Sequence, residues 1–166
     1  MSIIFKRKSV RKFTDEEVSD ELIEKLLKAG MQAPSSCNSQ PWEFIVVSNP
    51  EDKLAISKMH RFAKPAAEAS KLIVTIGNLN EAKVHRMIEQ DLGACNENIL
   101  LQATHEGLGA VWLGFHPIED RTLKLKQFLD IPDYCIPFSV ICVGWPKNQG
   151  EVKLRYDESK VHWNRY

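Results

Sequence analysis

One loop decides how this chain is organised: Ala33-Pro34-Ser35-Ser36-Cys37-Asn38-Ser39-Gln40-Pro41-Trp42. Its serine, asparagine and glutamine side chains favour turns over regular structure, because they bond to nearby backbone groups. Pro34 ends the preceding helix and Pro41 keeps the exit extended, so both ends of the loop are stiff. Such a loop can line a pocket for a flat ligand rich in heteroatoms. A capped connection that faces water is the alternative interpretation.

Length and composition narrow the class of protein. A chain of 166 residues predicts a single domain over residues 1–166, with a substantial hydrophobic core. The net charge of zero gives no general attraction to nucleic acid or to an anionic membrane. No secretory signal and no apolar run of roughly 20 residues is present, so we expect a cytoplasmic protein. The four cysteines form no Cys-x-x-Cys pair, which predicts reduced thiols without a zinc site or disulfide framework.

A basic arm precedes the first long helix. Residues 6–12 are Lys-Arg-Lys-Ser-Val-Arg-Lys, flanked by Phe5 and Phe13 and followed by Thr14 and Glu17 at capping-box spacing. A solvated arm that touches nucleic acid is one interpretation. The flanking aromatics favour an arm packed in place, and packed cations need a counter-charge. Because the nearest acids belong to the following helix, a bound phosphate is the other interpretation.

Hydrophobic periodicity and capping residues predict alternating helices and strands. The predicted strands cover residues 42–47, 72–76, 110–114 and 137–144. The predicted helices run from a Ser19 cap to the Pro34 loop, from Pro50 to about Met59, from Met87 to Glu106, and from Glu119 to about Leu129.

The long helix over 87–106 is apolar on more than one side, which indicates burial in the core or at a subunit contact. It also carries a thin polar stripe, Asp91, Asn98 and Gln102, whose members must find partners when buried.

Familiar catalytic arrangements are absent from the sequence. Gly107-x-Gly109 lacks a third glycine and follows a helix, so it is not a dinucleotide-binding fingerprint. No nucleophile has an evident base beside it, and the histidines are scattered. We therefore predict no catalytic side chain and no metal site, and expect a cofactor to supply the chemistry.

Three segments, in this order, resemble the FMN-dependent nitroreductase family. They are Arg7-Lys8-Ser9-Val10-Arg11-Lys12-Phe13, the loop over 33–42, and Gly107-Leu108-Gly109-Ala110-Val111-Trp112-Leu113-Gly114. The likeness extends from about residue 3 to the last strand. This chain is at the short end of the family and has Lys8 where many members carry arginine. The resemblance implies an α+β fold with a mostly antiparallel sheet flanked by helices. It also implies an intertwined homodimer with FMN at the interface.

The resemblance further implies which residues hold FMN. By position, Arg7, Ser9, Lys153 and Arg155 hold the phosphate and ribityl chain, and Lys8 and Arg11 approach the pyrimidine edge. The other subunit contributes Pro34, Ser35, Ser36 and Asn38, with Gln40 as a polar neighbour. The backbone at Leu113 and Gly114 faces the ring near N5. Trp42 and Trp112 are expected to be packing residues.

The implied reaction passes hydride from NAD(P)H through FMN to an electron-poor small molecule of nitroaromatic or quinone type. Dehalogenation, flavin fragmentation and oxidation of a bound peptide remain alternatives within the resemblance. A non-catalytic flavin-binding protein is an alternative of another class. Neither a nucleic acid nor a membrane is expected as a partner.

Overall fold

The computed structural model describes residues 2–148 and 150–166, which build an antiparallel four-stranded sheet. The strands are β1 (Trp42–Val47), β2 (Lys71–Asn78), β3 (Gly109–Gly114) and β4 (Cys135–Gly144), in the spatial order β1-β2-β4-β3. All strand pairs are antiparallel. The sheet confirms the α+β prediction, and β3 forms one of its edges.

The described residues also form six α-helices: α1 (Ile3–Lys6), α2 (Asp20–Met31), α3 (Pro50–Ser57), α4 (Pro65–Glu68), α5 (Ile88–His105) and α6 (Glu119–Phe128). The predicted long helix and the predicted helix before the Pro34 loop are both confirmed. Ser19 caps α2 as expected, because its hydroxyl accepts a hydrogen bond from the Leu22 N–H at 3.3 Å.

Helices cover both faces of the sheet. On one face, α2 and α5 contribute Leu26, Leu92 and Ile99 to a core that also contains Ile141 of β4. On the other face, Ile56 of α3 and Leu125 of α6 belong to a second core. The two central strands are therefore covered on both sides, and every residue of β2 is buried.

A buried polar triad fixes α5 against the two central strands. The Thr75 hydroxyl donates to Asn96 Oδ1 at 2.7 Å, and Asn96 Nδ2 donates to the Ser139 hydroxyl at 2.7 Å. All three side chains are fully buried. Because unpaired buried amides and hydroxyls are costly, the triad favours a single placement of α5 on the sheet.

The predicted polar stripe of α5 finds partners. Asn98 Nδ2 donates to the Ala29 carbonyl at 3.1 Å, and Gln102 Nε2 donates to Glu106 Oε1 at 2.8 Å. Asp91 is buried and accepts a hydrogen bond from the loop described below.

The capping-box expectation at Thr14 and Glu17 is wrong. Thr14 Oγ1 accepts from the Glu16 N–H at 3.4 Å, and no helix begins between Thr14 and Ser19. The backbone is held extended here because the Thr14 N–H donates to the Trp145 carbonyl and the Val18 N–H donates to the Ser70 hydroxyl.

The described residues contain neither a membrane-spanning helix nor a metal-binding cluster. No helix among them is long and apolar enough to cross a bilayer. No group of three or more histidine, cysteine, aspartate or glutamate side chains is arranged to hold a metal ion within this part of the chain.

Candidate functional site

The basic arm lies along the free edge of β3. Ser9 forms a parallel bridge with Ala110, and the Val10 N–H donates to the Ala110 carbonyl at 2.9 Å. The arm approaches so closely that a Cβ at Gly109 would lie 2.7 Å from Val10 Cγ1, so glycine is needed there. The arm is therefore part of the sheet edge and is not a free basic tail.

Only one of the two flanking aromatics anchors the arm within the chain. Phe13 is fully buried and bridges Pro146, as expected. Phe5 is 55% exposed, which corrects the expectation that it also packs in place. The short helix α1 packs against α5 without burying the Phe5 ring.

At one end of the arm lies a cleft of about 580 Å³, which we call the basic cleft. It brings together four of the predicted site residues: Arg7, Lys8, Lys153 and Arg155. Arg7 Nε lies 3.2 Å from Glu97 Oε1, and the Arg7 side chain is 19% exposed. The acids nearest in sequence were assigned to the following helix, but α5 also presents an acid to the arm, Glu97, from across the cleft.

Lys8 and Arg11, which the resemblance placed together at the pyrimidine edge, lie in different clefts. Its Nζ donates to the Gly150 carbonyl at 2.7 Å, so the side chain is bonded to the C-terminal tail. Side chains on an extended backbone alternate, and residues three apart point to opposite sides. The same alternation places Arg7, Ser9 and Arg11 on one side of the arm.

At the other end of the arm lies a second cleft of about 530 Å³, which we call the edge cleft. It is lined by Arg11, Leu113 and Gly114, as predicted, together with His60, Arg61, Phe62, Lys64, Pro65, Val111, Trp112, His116, Ile118 and Arg121.

The backbone of β3 is available at the edge cleft. Because the Ala110 carbonyl faces the arm, the two-residue period of a strand turns the N–H and C=O groups of Trp112 and Gly114 to the same free edge. Among the described residues, no heavy atom other than those of Gly114 and its two chain neighbours lies within 4 Å of the place where a Cβ of Gly114 would stand. A flat ring can therefore approach this backbone closely.

Several residues of the edge cleft were missed by sequence reasoning. Arg61 places its guanidinium 4.4 Å from the centre of the Phe62 ring, and Arg121 Nη1 donates to the Gly114 carbonyl at 3.3 Å. The Nε2 of His60 is buried without a hydrogen-bond partner among the described residues. Burial lowers the pKa of His60, and the charge of Arg121 lowers it further, so the ring is neutral at pH 7. In the sequence, the run His60-Arg61-Phe62 between two helices was the signal that could have pointed to this part of the cleft.

The loop over 33–42 is held in a strained conformation. Cys37, Asn38 and Gln40 have φ angles of 52°, 52° and 49°. Left-handed backbone at a non-glycine residue costs about 1–3 kcal/mol and persists only where neighbouring contacts enforce it.

Those contacts come from the loop itself and from α5. Asp91 Oδ1 accepts from the Ser36 N–H at 2.8 Å, and Ser35 Oγ accepts from the Gln40 N–H at 2.9 Å. Gln40 Nε2 donates to Asn38 Oδ1 at 3.0 Å. Within the described chain, none of the predicted loop residues Pro34, Ser35, Ser36, Asn38 and Gln40 lines either cleft.

Trp42 and Trp112 both pack as predicted. Trp42 is buried in the core beneath α5, and Trp112 packs against that core with its ring 5.6 Å from the ring of Phe138. Trp112 also lines the edge cleft.

The fold and the site define the class of protein: an α+β protein whose edge strand carries a basic arm with a cleft at each end. The sequence model of the Nitroreductase family matches residues 4–84 and 61–145. The chain belongs to the nitroreductase family.

Three similar proteins support this assignment. A protein of Archaeoglobus fulgidus, provisionally named an NADH dehydrogenase/NAD(P)H nitroreductase, is 39% identical over 170 residues, covering 100% of this chain and 98% of its own. The crystal structure of a Clostridium acetobutylicum protein provisionally named an NADH oxidase has a TM-score of 0.96 and 41% identity, covering 99% of this chain and 100% of its own. A Desulfovibrio desulfuricans protein provisionally named a nitroreductase, solved in complex with FMN, has a TM-score of 0.83 and 27% identity, covering 99% and 95%.

Proposed function

We propose that the protein is an NAD(P)H-dependent flavin oxidoreductase that uses FMN and reduces an electron-poor small molecule of nitroaromatic or quinone type. The observation that carries the proposal is the course of the arm, which runs parallel to β3 and ends in a cleft on either side. Arg7 and Arg11 are four residues apart on extended backbone, a span of about 13 Å. That arrangement suits an elongated ligand with an anion at one end and a flat ring at the other.

The basic cleft is suited to a phosphate. Arg7, Lys8, Lys153 and Arg155 converge there, and charge-assisted hydrogen bonds to phosphate are among the stronger polar contacts in proteins. Glu97 pairs with Arg7 and orients its guanidinium. Since a guanidinium has five N–H donors, the terminal nitrogens can bind a phosphate while Nε stays paired.

The edge cleft is suited to the flavin ring. Gly114 leaves room above the backbone, and its N–H faces the free edge, where it can donate to a ring atom. Arg11 lines the same cleft and can stabilise negative charge on the ring system. When bound, FMN supplies the hydride and electron chemistry that no side chain of this cleft provides.

The proposed assembly is an intertwined homodimer. All residues over 151–166 are exposed in the single chain, including the apolar or aromatic side chains of Leu154, Tyr156, Trp163 and Tyr166. Trp163 is 85% exposed, and Ile4 and Phe5 are also open to solvent. So many exposed apolar and aromatic side chains favour association with another chain. The loop over 33–42, which reaches neither cleft of its own chain, then contributes Pro34, Ser35, Ser36 and Asn38 to the partner's FMN.

Turnover tests this function and separates it from the alternatives. We expect the purified protein loaded with FMN to oxidise NADH or NADPH when menadione or a nitrofuran is supplied, and more slowly without an acceptor. Protein that binds FMN but oxidises neither nucleotide with any acceptor would show a flavin-binding protein without this activity. Turnover limited to a halogenated or peptide substrate would favour one of the other flavin chemistries.

A further inference from the structure

The edge cleft carries more positive charge than the proposed FMN ring accounts for. Four cationic side chains line it, Arg11, Arg61, Lys64 and Arg121, and no carboxylate is among the lining residues. Across residues 2–148 and 150–166, no carboxylate oxygen lies within 4.0 Å of their nitrogens. Arg11 is assigned to the flavin, which leaves three cations without a counter-charge.

Two acids of neighbouring elements are engaged elsewhere. Glu89 Oε1 lies 2.9 Å from His116 Nε2, which removes that carboxylate from the rest of the cleft. Asp120 Oδ2 lies 2.9 Å from Lys124 Nζ on the outer side of α6. Because unpaired like charges in one cleft repel each other, their clustering is stabilised when an anion binds among them.

The walls of the cleft favour a flat ligand. Phe62 is 57% exposed and lies under the Arg61 guanidinium, while Trp112 contributes a half-buried aromatic surface. The buried Nε2 of His60 adds a polar group without a partner among the described residues. Guanidinium groups beside aromatic rings bind planar anions well, since both stacking and charge contribute.

We infer that Arg61, Lys64 and Arg121 select a redox substrate bearing an anionic group, such as a carboxylate, sulfonate or phosphate on a flat molecule. This inference rests on the proposed function, because it concerns the substrate that meets the FMN in this cleft. The anion can belong to the electron acceptor or to the nicotinamide nucleotide. Recognition by the three cations is the same in both cases, and the two sources are separated by experiment.

The experiment compares matched substrates on FMN-loaded, full-length protein. The acceptor arm uses para-nitrobenzoate against the neutral para-nitrobenzyl alcohol at fixed NADH. The reductant arm uses NADPH against NADH at fixed menadione. The variants are Arg61→Gln, Lys64→Gln, Arg121→Gln and the double variant Arg61→Gln/Arg121→Gln. Lys58→Gln is the control, since Lys58 is an exposed lysine at the end of α3, two residues before His60, and does not line the cleft.

We expect each cleft substitution to lower kcat/KM for the anionic member of a pair by about threefold to tenfold relative to its neutral or less charged counterpart. Added salt should shrink the wild-type preference, because exposed charges are screened. A change in the acceptor arm assigns the anion to the acceptor, and a change in the reductant arm assigns it to the nucleotide; either supports the inference.

A readout independent of turnover completes the test. Isothermal titration calorimetry of para-nitrobenzoate into the wild-type and double-variant proteins should show weaker binding by the double variant, with Lys58→Gln unchanged. Equal binding by all three proteins, together with unchanged ratios in both kinetic arms, would overturn the inference. The visible flavin spectrum of the same samples tests the proposed function separately, because it is missing only when the protein holds no FMN.

Discussion

Arg7 Nε and Glu97 Oε1 lie 3.2 Å apart, so the arginine assigned to the FMN phosphate is already oriented by an acid from α5. Glu97 is 48% exposed, and this ion pair is therefore worth little by itself. Its consequence is geometric, because it holds the Arg7 side chain toward the basic cleft, where Lys153 and Arg155 converge.

Removing the Arg7 side chain should weaken FMN binding. Loss of a charge-assisted contact costs about 1.5–3 kcal/mol, so we expect Arg7→Ala to lower FMN affinity roughly ten- to 150-fold. The measurement is a fluorescence titration of FMN into flavin-free protein. Lys12→Ala is the control, because Lys12 is on the same arm but lines neither cleft.

Glu97→Gln should have the opposite effect. The glutamine amide oxygen can still accept a hydrogen bond from Arg7 Nε and keep it oriented. The negative charge that repels phosphate is removed, so FMN affinity should rise by about two- to fivefold. For the preceding prediction, folded Arg7→Ala protein that keeps the wild-type affinity for FMN would show that the phosphate binds elsewhere.

Arg11 should tune the flavin more than hold it. A cation beside the pyrimidine edge stabilises the negatively charged reduced ring more than the neutral oxidised ring, by about 1.5–3 kcal/mol. For a two-electron couple about 1.4 kcal/mol corresponds to roughly 30 mV, so Arg11→Gln should lower the midpoint potential by roughly 30–60 mV. Spectroelectrochemical titration measures the shift. An unchanged potential with much weaker FMN binding would instead place Arg11 at the phosphate.

Asp91 should control the order of the loop over 33–42. Its buried carboxylate accepts the Ser36 N–H at 2.8 Å, next to three residues in left-handed conformation. Asp91→Asn keeps the shape but loses the charge on the acceptor, so amides of the loop should exchange about tenfold faster with solvent. Hydrogen exchange followed by mass spectrometry measures this. Unchanged exchange in the loop would show that its own hydrogen bonds are sufficient.

Asn96 should be a major determinant of stability. Replacement by leucine leaves the Thr75 and Ser139 hydroxyls buried without their partner, which should lower the free energy of unfolding by about 2–4 kcal/mol. Urea denaturation measures the loss. Asn98→Ala, which removes one half-buried bond to the Ala29 carbonyl, should cost only about 1 kcal/mol. Equal costs for the two variants would contradict the role given to the triad.

Most of the secondary structure could be predicted because its signals are local. The Ser19 cap and the apolar pattern of α5 each depend on residues within a few turns, and both predictions are confirmed. The capping box at Thr14 failed because tertiary bonds to Trp145 and Ser70 hold that segment extended.

The site was only partly predictable because it is assembled from distant segments. Arg11, Leu113 and Gly114 meet in the edge cleft as the family resemblance implied. Arg61 and Arg121 were missed, since they come from separate segments that approach each other only after the sheet order is set. The Arg7–Glu97 pair was missed for the same reason, as was the separation of Lys8 from Arg11 by the tail carbonyl of Gly150.

The account depends most on FMN bound between two copies of this chain. Sedimentation velocity, followed at the visible absorption of flavin and at the protein absorption, tests both parts together. We predict one boundary with about twice the chain mass, carrying FMN equimolar with the chain, and loss of flavin from that boundary in Arg7→Ala. Flavin absorption that does not sediment with the protein, or that sediments with a stable monomer, would contradict the proposal that FMN binds between two copies of the chain.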